Sequence, residues 1–422
     1  MEWLKKIALP QSAEHIELLN YMFVIVLILF TSFSSIIFWG TFLSLYYKRK
    51  ERKYLASKYR FISKDIIEIV LVNKTIGLIF CIIPLITIIL IFAQLFQSLE
   101  NSNLLYLTIS LVLLSISLIF IYDYKNSFDD FKLLNQSSGI WGLVVFFVTI
   151  WIFSAGLTAS IFNEHRQPVN LITEIFSSHV LIRFFYFMLV SLALTGAVLL
   201  YGTLNLKTVR REYDEEYERL AKSVFLSTTF IATVLIPVLM LINMIIMPNA
   251  SLSGAFFVYM ILGIALLFIA YHLLYMLYRK FNKTLTAYLL VTLICFVLTY
   301  AINDKIIIAD SNKVHYTVLA ADFDLYLSSL KGGVTTNEIS GEEIYKISCS
   351  SCHAFDHKVV GPPHNEVVPK YFGKESQLVA YIKNPVKVNP EYPAMPNSGL
   401  KPDEVKAVVE YILAKVKGNK GN

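Results

Sequence analysis

Residues 349–353 read Cys349-Ser350-Ser351-Cys352-His353, two cysteines separated by two residues and followed directly by a histidine. This spacing is the attachment signature of a c-type haem, because each thiol can add to one vinyl group while the adjacent histidine ligates the iron. A chance match, a redox pair or half of a zinc site are the alternatives. Covalent haem is attached outside the cytoplasm, so the motif predicts that the C-terminal part of the chain lies on the outer side of a membrane.

The residues around this motif continue the pattern of a haem-binding domain. Gly361-Pro362 follows it, and Met395-Pro396 comes later in a stretch without helical periodicity. Met395 is the only methionine after Met276. His357 and His364 are rival ligands, but they follow the motif closely and are expected to be exposed.

Residues 339–417 resemble a class I cytochrome c. The resemblance implies that Cys349 and Cys352 hold the haem and that His353 and Met395 are its axial ligands. It also implies that the carbonyl of Pro362 accepts the free N–H of the proximal histidine, which fixes the tautomer. Gly341, near the start of the domain, would let the first and last helices cross closely, with Tyr411 packed beside the first helix.

The rest of the chain has the composition of a membrane protein. Of 422 residues, 56% are hydrophobic and 16% are charged, and the mean hydropathy is +0.58. No ordinary soluble domain has this composition. The net charge of +6 comes from basic residues in short loops, so it does not indicate nucleic-acid binding.

Eight apolar runs are long enough to span a bilayer, which takes roughly 20 residues. They cover residues 19–47, 76–96, 104–122, 140–162, 180–204, 224–247, 254–278 and 285–302. Basic residues cluster after the first, fifth and seventh runs, for example Lys48-Arg49-Lys50, Arg210-Arg211 and Arg279-Lys280. The positive-inside rule places these loops in the cytoplasm and both termini outside, in agreement with the haem motif.

The sequence therefore predicts an all-α protein with three parts. Residues 1–302 form an eight-helix transmembrane domain with its N-terminus outside. Residues 303–337 form a polar extracytoplasmic linker with a flexible, turn-rich joint at Lys331-Gly332-Gly333 and Thr335-Thr336, and residues 338–422 form a monohaem cytochrome c domain. The predicted location is the inner membrane of a bacterium, with the cytochrome domain in the periplasm.

Ionisable groups at membrane depth are candidates for function, because they are costly to bury there. No predicted span has an acidic residue near its middle, which argues against a carboxylate proton relay. His179 opens the fifth run and Arg183 follows on the same helical face, so the pair could ligate a b-type haem and neutralise its propionate. An interfacial histidine with a snorkelling arginine is the alternative. His15, just before the first run, is a further candidate ligand or a solvated residue.

The membrane part has a resemblance, at scattered positions, to subunit I of cytochrome bd-type oxidoreductases. His15, His179 and the turn Arg166-Gln167-Pro168 carry it. The resemblance implies outer-side histidines as haem ligands and a quinol site near the turn. Here the turn precedes His179, and the intramembrane acidic residues of that family have no counterpart, so oxygen reduction by this chain alone is not expected.

The function predicted from the sequence is electron transfer in a respiratory-type chain. A six-coordinate haem c would relay electrons between a membrane quinol or b-type haem and an extracytoplasmic carrier. Other subunits of a membrane redox complex and membrane lipid are the expected partners, and nucleic acid is not. A cofactor-free scaffold that tethers the cytochrome and a subunit of a bd-like oxidase are the alternatives, and whether the chain is an enzyme stays open.

Overall fold

The computed structural model describes residues 11–96, 102–128, 133–162, 171–205, 215–330, 340–387, 389, 392–393 and 395–419. Over these residues the chain forms helices and turns without β-strands, which confirms the all-α prediction. The chain divides into two compact units, Met1–Ala320 and Ala321–Asn422.

Within the described part of the first unit, eight helices are long and apolar enough to cross a membrane. Three other helices lie between or after them. In chain order the helices are α1 (Ala13–Tyr54), α2 (Ser57–Val70), α3 (Lys74–Leu95), α4 (Asn103–Asn126), α5 (Leu133–Ala159), α6 (Leu171–Ile175), α7 (Ser178–Asn205), α8 (Glu215–Ile246), α9 (Gly254–Arg279), α10 (Lys283–Ser311) and α11 (Lys313–Leu330). The spans are α1, α3, α4, α5, α7, α8, α9 and α10, as the sequence predicts.

Helix α7 is the centre of the first unit. Its apolar segment is 72% buried, against 28% for α9 at the periphery. Hydroxyl groups join it to α1: the Ser35 hydroxyl donates to Ser191 Oγ at 2.7 Å, and the Thr195 hydroxyl donates to the Ser35 carbonyl at 3.0 Å. On the side facing α8, a Cβ on Gly196 would lie 2.3 Å from Oγ1 of Thr229. Small residues and interhelical hydrogen bonds are what hold helices together where lipid removes the hydrophobic driving force.

Where the sequence predicts the start of a linker, residues 303–311 and 313–330 are helical, and those up to Ala320 belong to the first unit. Helix α10 continues to Ser311, and α11 follows after Asn312. Ile306, Ile307 and Leu319 are buried in the core of the first unit. The Asn312 amide donates to the carbonyl of Ser160 at 2.8 Å. Charged residues near this end of α10 mark the end of the apolar run in the sequence. The helix and its packing against the first unit nevertheless continue beyond them. Residues 331–337 of the predicted linker lie outside the described part of the chain.

The second unit contains four further helices around its own core. They are α12 (Gly341–Ser348), α13 (His364–Val367), α14 (Glu375–Lys383) and α15 (Pro402–Asn419). Helices α12 and α15 cross so closely that a Cβ on Gly341 would lie 2.1 Å from the carbonyl oxygen of Ala407. Tyr345 of α12 and Tyr411 of α15 pack together with ring centroids 5.6 Å apart. This close crossing is the one that the class I resemblance implies.

Candidate haem site in the second unit

The two cysteines of the motif lie in the turn that ends α12. The N–H of Cys349 donates to the Tyr345 carbonyl, and the N–H of His353 donates to the Cys349 carbonyl, both at 2.9 Å. The helical pattern of hydrogen bonds thus continues through the motif and holds its residues in one compact turn. Both thiols are free and partly buried.

The environment of these thiols fits neither a zinc site nor a reactive dithiol. Burial raises the pKa of the Cys349 thiol to about 11, with a further contribution from Cys352. A reactive cysteine needs the opposite shift, towards the thiolate. Among the residues that the structure describes, no group of three or more His, Cys, Asp or Glu side chains could hold a metal ion.

His353 is held in a single orientation by the turn that follows the motif. Its Nδ1–H donates to the carbonyl of Pro362 at 3.0 Å, because a carbonyl oxygen can only accept. This bond leaves Nε2 as the nitrogen available to a metal. The N–H groups of Val360 and Gly361 both donate to the Cys352 carbonyl, at 3.1 and 2.8 Å, and so hold the turn against the motif.

Gly361 leaves room for the imidazole of His353. A Cβ at this position would lie 2.2 Å from Cε1 of His353, closer than any real contact. Any residue other than glycine would therefore displace the ring or the turn. The hydroxyl of Tyr345 adds a bond to the backbone of the motif, since it donates to the His353 carbonyl at 2.8 Å.

His364 is buried, which corrects the expectation that it is exposed. Its ring stacks on that of His353, with centroids 4.9 Å apart and planes at 18°. Phe355 also lies against it, at 5.3 Å. Burial lowers the pKa of His364 to about 4, with a smaller contribution from His353, so it is neutral near pH 7. His357 is exposed as expected and pairs with Asp356 at 2.8 Å.

Met395 lies in the described non-helical stretch of residues 395–401, directly before α15. It is partly buried and packs against the core of the second unit. The thioether is a soft ligand on an adaptable side chain, of the kind that a cytochrome c supplies from a loop. Two adjacent free thiols, an oriented imidazole, the space beside Gly361 and this thioether together fit a covalently attached haem.

A helical domain that carries this constellation at the end of its first helix is a c-type cytochrome, a carrier of electrons. Comparison with known proteins agrees. The family model described as cytochrome c oxidase, cbb3-type, subunit III matches residues 337–412. Cytochrome c-551 of Pseudomonas denitrificans is 35% identical over 79 residues, which is 95% of that protein and 18% of this chain. Cytochrome c-551 of Azotobacter vinelandii is 38% identical over 78 residues, with the same coverage.

Through this domain the chain belongs to the cytochrome c family. Membership supports covalent haem c and electron transfer, and the eight apolar helices are consistent with an integral membrane protein. The matched residues all lie in the C-terminal region, so the resemblance of the membrane part to bd-type subunit I gains no support from these relatives. The turn Arg166-Gln167-Pro168 lies outside the described residues.

His179 and His15, the two histidines predicted as haem ligands in the membrane part, differ from each other in burial. His179, in the first turn of α7, is half-buried against Phe162, with ring centroids 4.3 Å apart, and lies within hydrogen-bond reach of the Ile246 carbonyl. His15 is exposed in the first turn of α1, where its N–H donates to Ser12 Oγ at 3.2 Å. Their roles as haem ligands stay predictions.

Arg183 has a partner that the sequence did not reveal. Its Nη2 lies 2.7 Å from Oδ2 of Asp304, and both side chains are buried. The sequence places Asp304 in the predicted linker, because it follows the end of the apolar run at residue 302. The continuation of α10 places it opposite α7, so a membrane span does contain a buried carboxylate. No local sequence signal marks this pair, since 121 residues separate its members.

Proposed function

We propose that the chain is a membrane-bound c-type cytochrome subunit that passes single electrons between a donor in the membrane and an extracytoplasmic carrier. Cys349 and Cys352 bind the haem, and His353 and Met395 are its axial ligands. The observation that carries the proposal is the hydrogen bond from His353 Nδ1 to Pro362, beside the space that Gly361 leaves.

The chemistry of this site is electron transfer only. Haem c, held by Cys349 and Cys352 and ligated by His353 and Met395, would supply one-electron transfer at this site. The protein's own residues orient the ligands. Pro362 fixes the tautomer of His353, and Tyr345 and His364 pack around the motif. His/Met ligation raises the reduction potential relative to bis-histidine ligation.

The membrane unit supplies the donor side in this proposal. The donor is a quinol, a b-type haem near the outer surface with His179 and His15 as its candidate ligands, or a haem of a partner subunit. The family model that matches the cytochrome domain is named for an oxidase subunit, which supports a membrane redox complex as the setting.

A second function is that of a cofactor-free scaffold that tethers the cytochrome. The pairing of Arg183 with Asp304 favours it over a b-type haem, because the charge of the arginine is balanced without a haem propionate.

A pyridine-haemochrome spectrum of the purified full chain tests these proposals. We expect one haem c per chain. Its absence would contradict the proposed function. A haem b signal that disappears in His179→Ala would establish the b-type haem, whereas one haem c with no haem b would leave the quinol or the partner subunit as donor.

A further inference from the structure

A buried polar cluster in the first unit has no part in the haem c site. Arg183 of α7 and Asp304 of α10 form its centre, and their side chains are 3% and 7% exposed. Arg183 lies six positions into α7 and Asp304 seven positions before the end of α10, at the ends predicted to face outside. Ionisable residues placed inside a membrane protein are rare and costly, and they commonly mark sites of function.

The guanidinium of Arg183 has more hydrogen-bond donors than its partner satisfies. Its Nε, Nη1 and Nη2 are buried and have no hydrogen-bond partner among the described residues, although Nη2 lies 2.7 Å from Oδ2 of Asp304 as an ion pair. A buried donor without an acceptor carries the full cost of its desolvation, and a single carboxylate contact does not offset it. The unmet donors therefore indicate that an acceptor oxygen of a bound molecule completes the site.

Two tyrosines frame the ion pair. Tyr186 lies one turn after Arg183 on α7, and Tyr300 lies one turn before Asp304 on α10. Their rings pack edge to face, with centroids 5.2 Å apart and planes at 79°. The Tyr300 hydroxyl lies within hydrogen-bond reach of the Asp304 carboxylate. Flat aromatic ligands pack well on such rings.

These groups match the headgroup of a hydroquinone. Its hydroxyls need an acceptor, which the Asp304 carboxylate provides. Its oxidised form presents carbonyl oxygens, which need donors such as Nε and Nη1 of Arg183. A hydroquinone also dissolves in the apolar phase around the eight helices, as a donor for a membrane-bound cytochrome must.

We propose that Arg183, Asp304 and Tyr300 bind the headgroup of a membrane-soluble hydroquinone, with Asp304 as the acceptor of its protons. This inference rests on the proposed function, because the electrons pass to haem c. For each electron, one O–H bond breaks, the proton goes to the Asp304 carboxylate and then to water, and one ferric haem c becomes ferrous. Two such steps, with haem c reoxidised by the extracytoplasmic carrier between them, convert the hydroquinone to the quinone, which accepts hydrogen bonds from Arg183.

The test measures reduction of haem c by decylubiquinol and by menadiol, with the full chain in lipid nanodiscs and stopped-flow detection of the haem absorbance. We expect Asp304→Asn and Arg183→Gln to slow the reaction by about tenfold or more, the effect of losing a charge-assisted hydrogen bond. Tyr300→Phe, which removes only one hydroxyl, should slow it less. The matched control is Asp123→Asn, an exposed acid in α4, which should leave the rate unchanged.

Three results would overturn the inference and leave the haem c function standing. In the first, the hydroquinones reduce the wild type, and Asp304→Asn and Tyr300→Phe react at the same rate. In the second, the wild type contains a haem c that dithionite reduces and hydroquinones do not. In the third, a haem b is present and is lost in Arg183→Gln, which would identify the acceptor oxygen as a haem propionate. If Asp304→Asn does not fold, the rate of haem c reduction in Tyr300→Phe decides whether the inference stands. A chain without haem c would instead contradict the proposed function.

Discussion

Single residues set the haem site, and Gly361 is the most constrained of them. The ring of His353 occupies the space that a side chain at this position would fill. The carbonyl of the next residue, Pro362, accepts the hydrogen bond that orients the same ring. Orientation and space are thus supplied by two consecutive residues, which explains why they occur together as a motif.

We expect Gly361→Ala to lower both the haem content and the stability of the cytochrome domain. A Cβ in the space of the imidazole must displace the ring or the turn, and such overpacking costs about 1–3 kcal/mol. Haemochrome content and thermal unfolding measure the two effects. Gly418→Ala is the control, because nothing lies within 4 Å of the added Cβ. Equal haem content and melting temperature in both variants would contradict the assignment.

Met395→Ala should abolish the weak near-infrared band that arises from a sulfur-to-iron bond. It should also lower the reduction potential, because the thioether favours ferrous iron. Met395→His is the companion variant, since it restores a sixth ligand without sulfur. If the band survives in Met395→Ala, another group ligates the iron and our assignment is wrong.

At the scale of helices, the stretch after α10 is the main departure from the sequence prediction. Helix α11 packs on the first unit through Leu319 and through His315, whose Nε2–H donates to the Leu95 carbonyl at 2.8 Å. The His315 ring also stacks on Phe96, with planes at 9°. The predicted turn-rich joint begins at Lys331, outside the described part of the chain, whereas the residues before it form α11.

The docking of α11 should weaken in acid. Burial lowers the pKa of His315 below its usual value of 6.5, although the Leu95 carbonyl partly opposes the shift. A histidine with a lowered pKa contributes its full stability above about pH 6.5, and the contribution is lost as the pH falls through the folded-state value. We therefore expect the melting temperature to fall more between pH 7.5 and 5.5 in the wild type than in His315→Gln. Parallel curves for the two proteins would show that His315 does not titrate on unfolding.

For the whole molecule, the predicted topology can be measured directly. An impermeant thiol reagent should label Asn249→Cys in intact cells and Lys280→Cys only after lysis, because the two positions lie at opposite ends of α9. Both positions are exposed, so access depends on the membrane side alone. A wild-type sample corrects for Cys81 and Cys295. The reversed labelling pattern would place the N-terminus inside and contradict the haem motif as a topology marker.

The sequence by itself determined the features that depend on short stretches of chain. A span is recognised by length and apolarity, because the cost of placing polar groups in lipid adds up residue by residue. The haem site is also recognised from short stretches of sequence. These are the motif from Cys349 to His353, the turn at Gly361-Pro362 and Gly341. The eight spans and the fold of the cytochrome domain were therefore predictable.

Only the tertiary structure decided which distant groups meet. It paired Arg183 with Asp304, buried His364 against His353, and packed apolar side chains between residues 303 and 320, such as Ile306 and Leu319, into the core of the first unit. In each case the residues that meet lie on different elements of the fold, so no local pattern in the sequence reveals the contact. For Arg183 the partner is Asp304, and a buried charge needs such a partner, which only the fold brings to it.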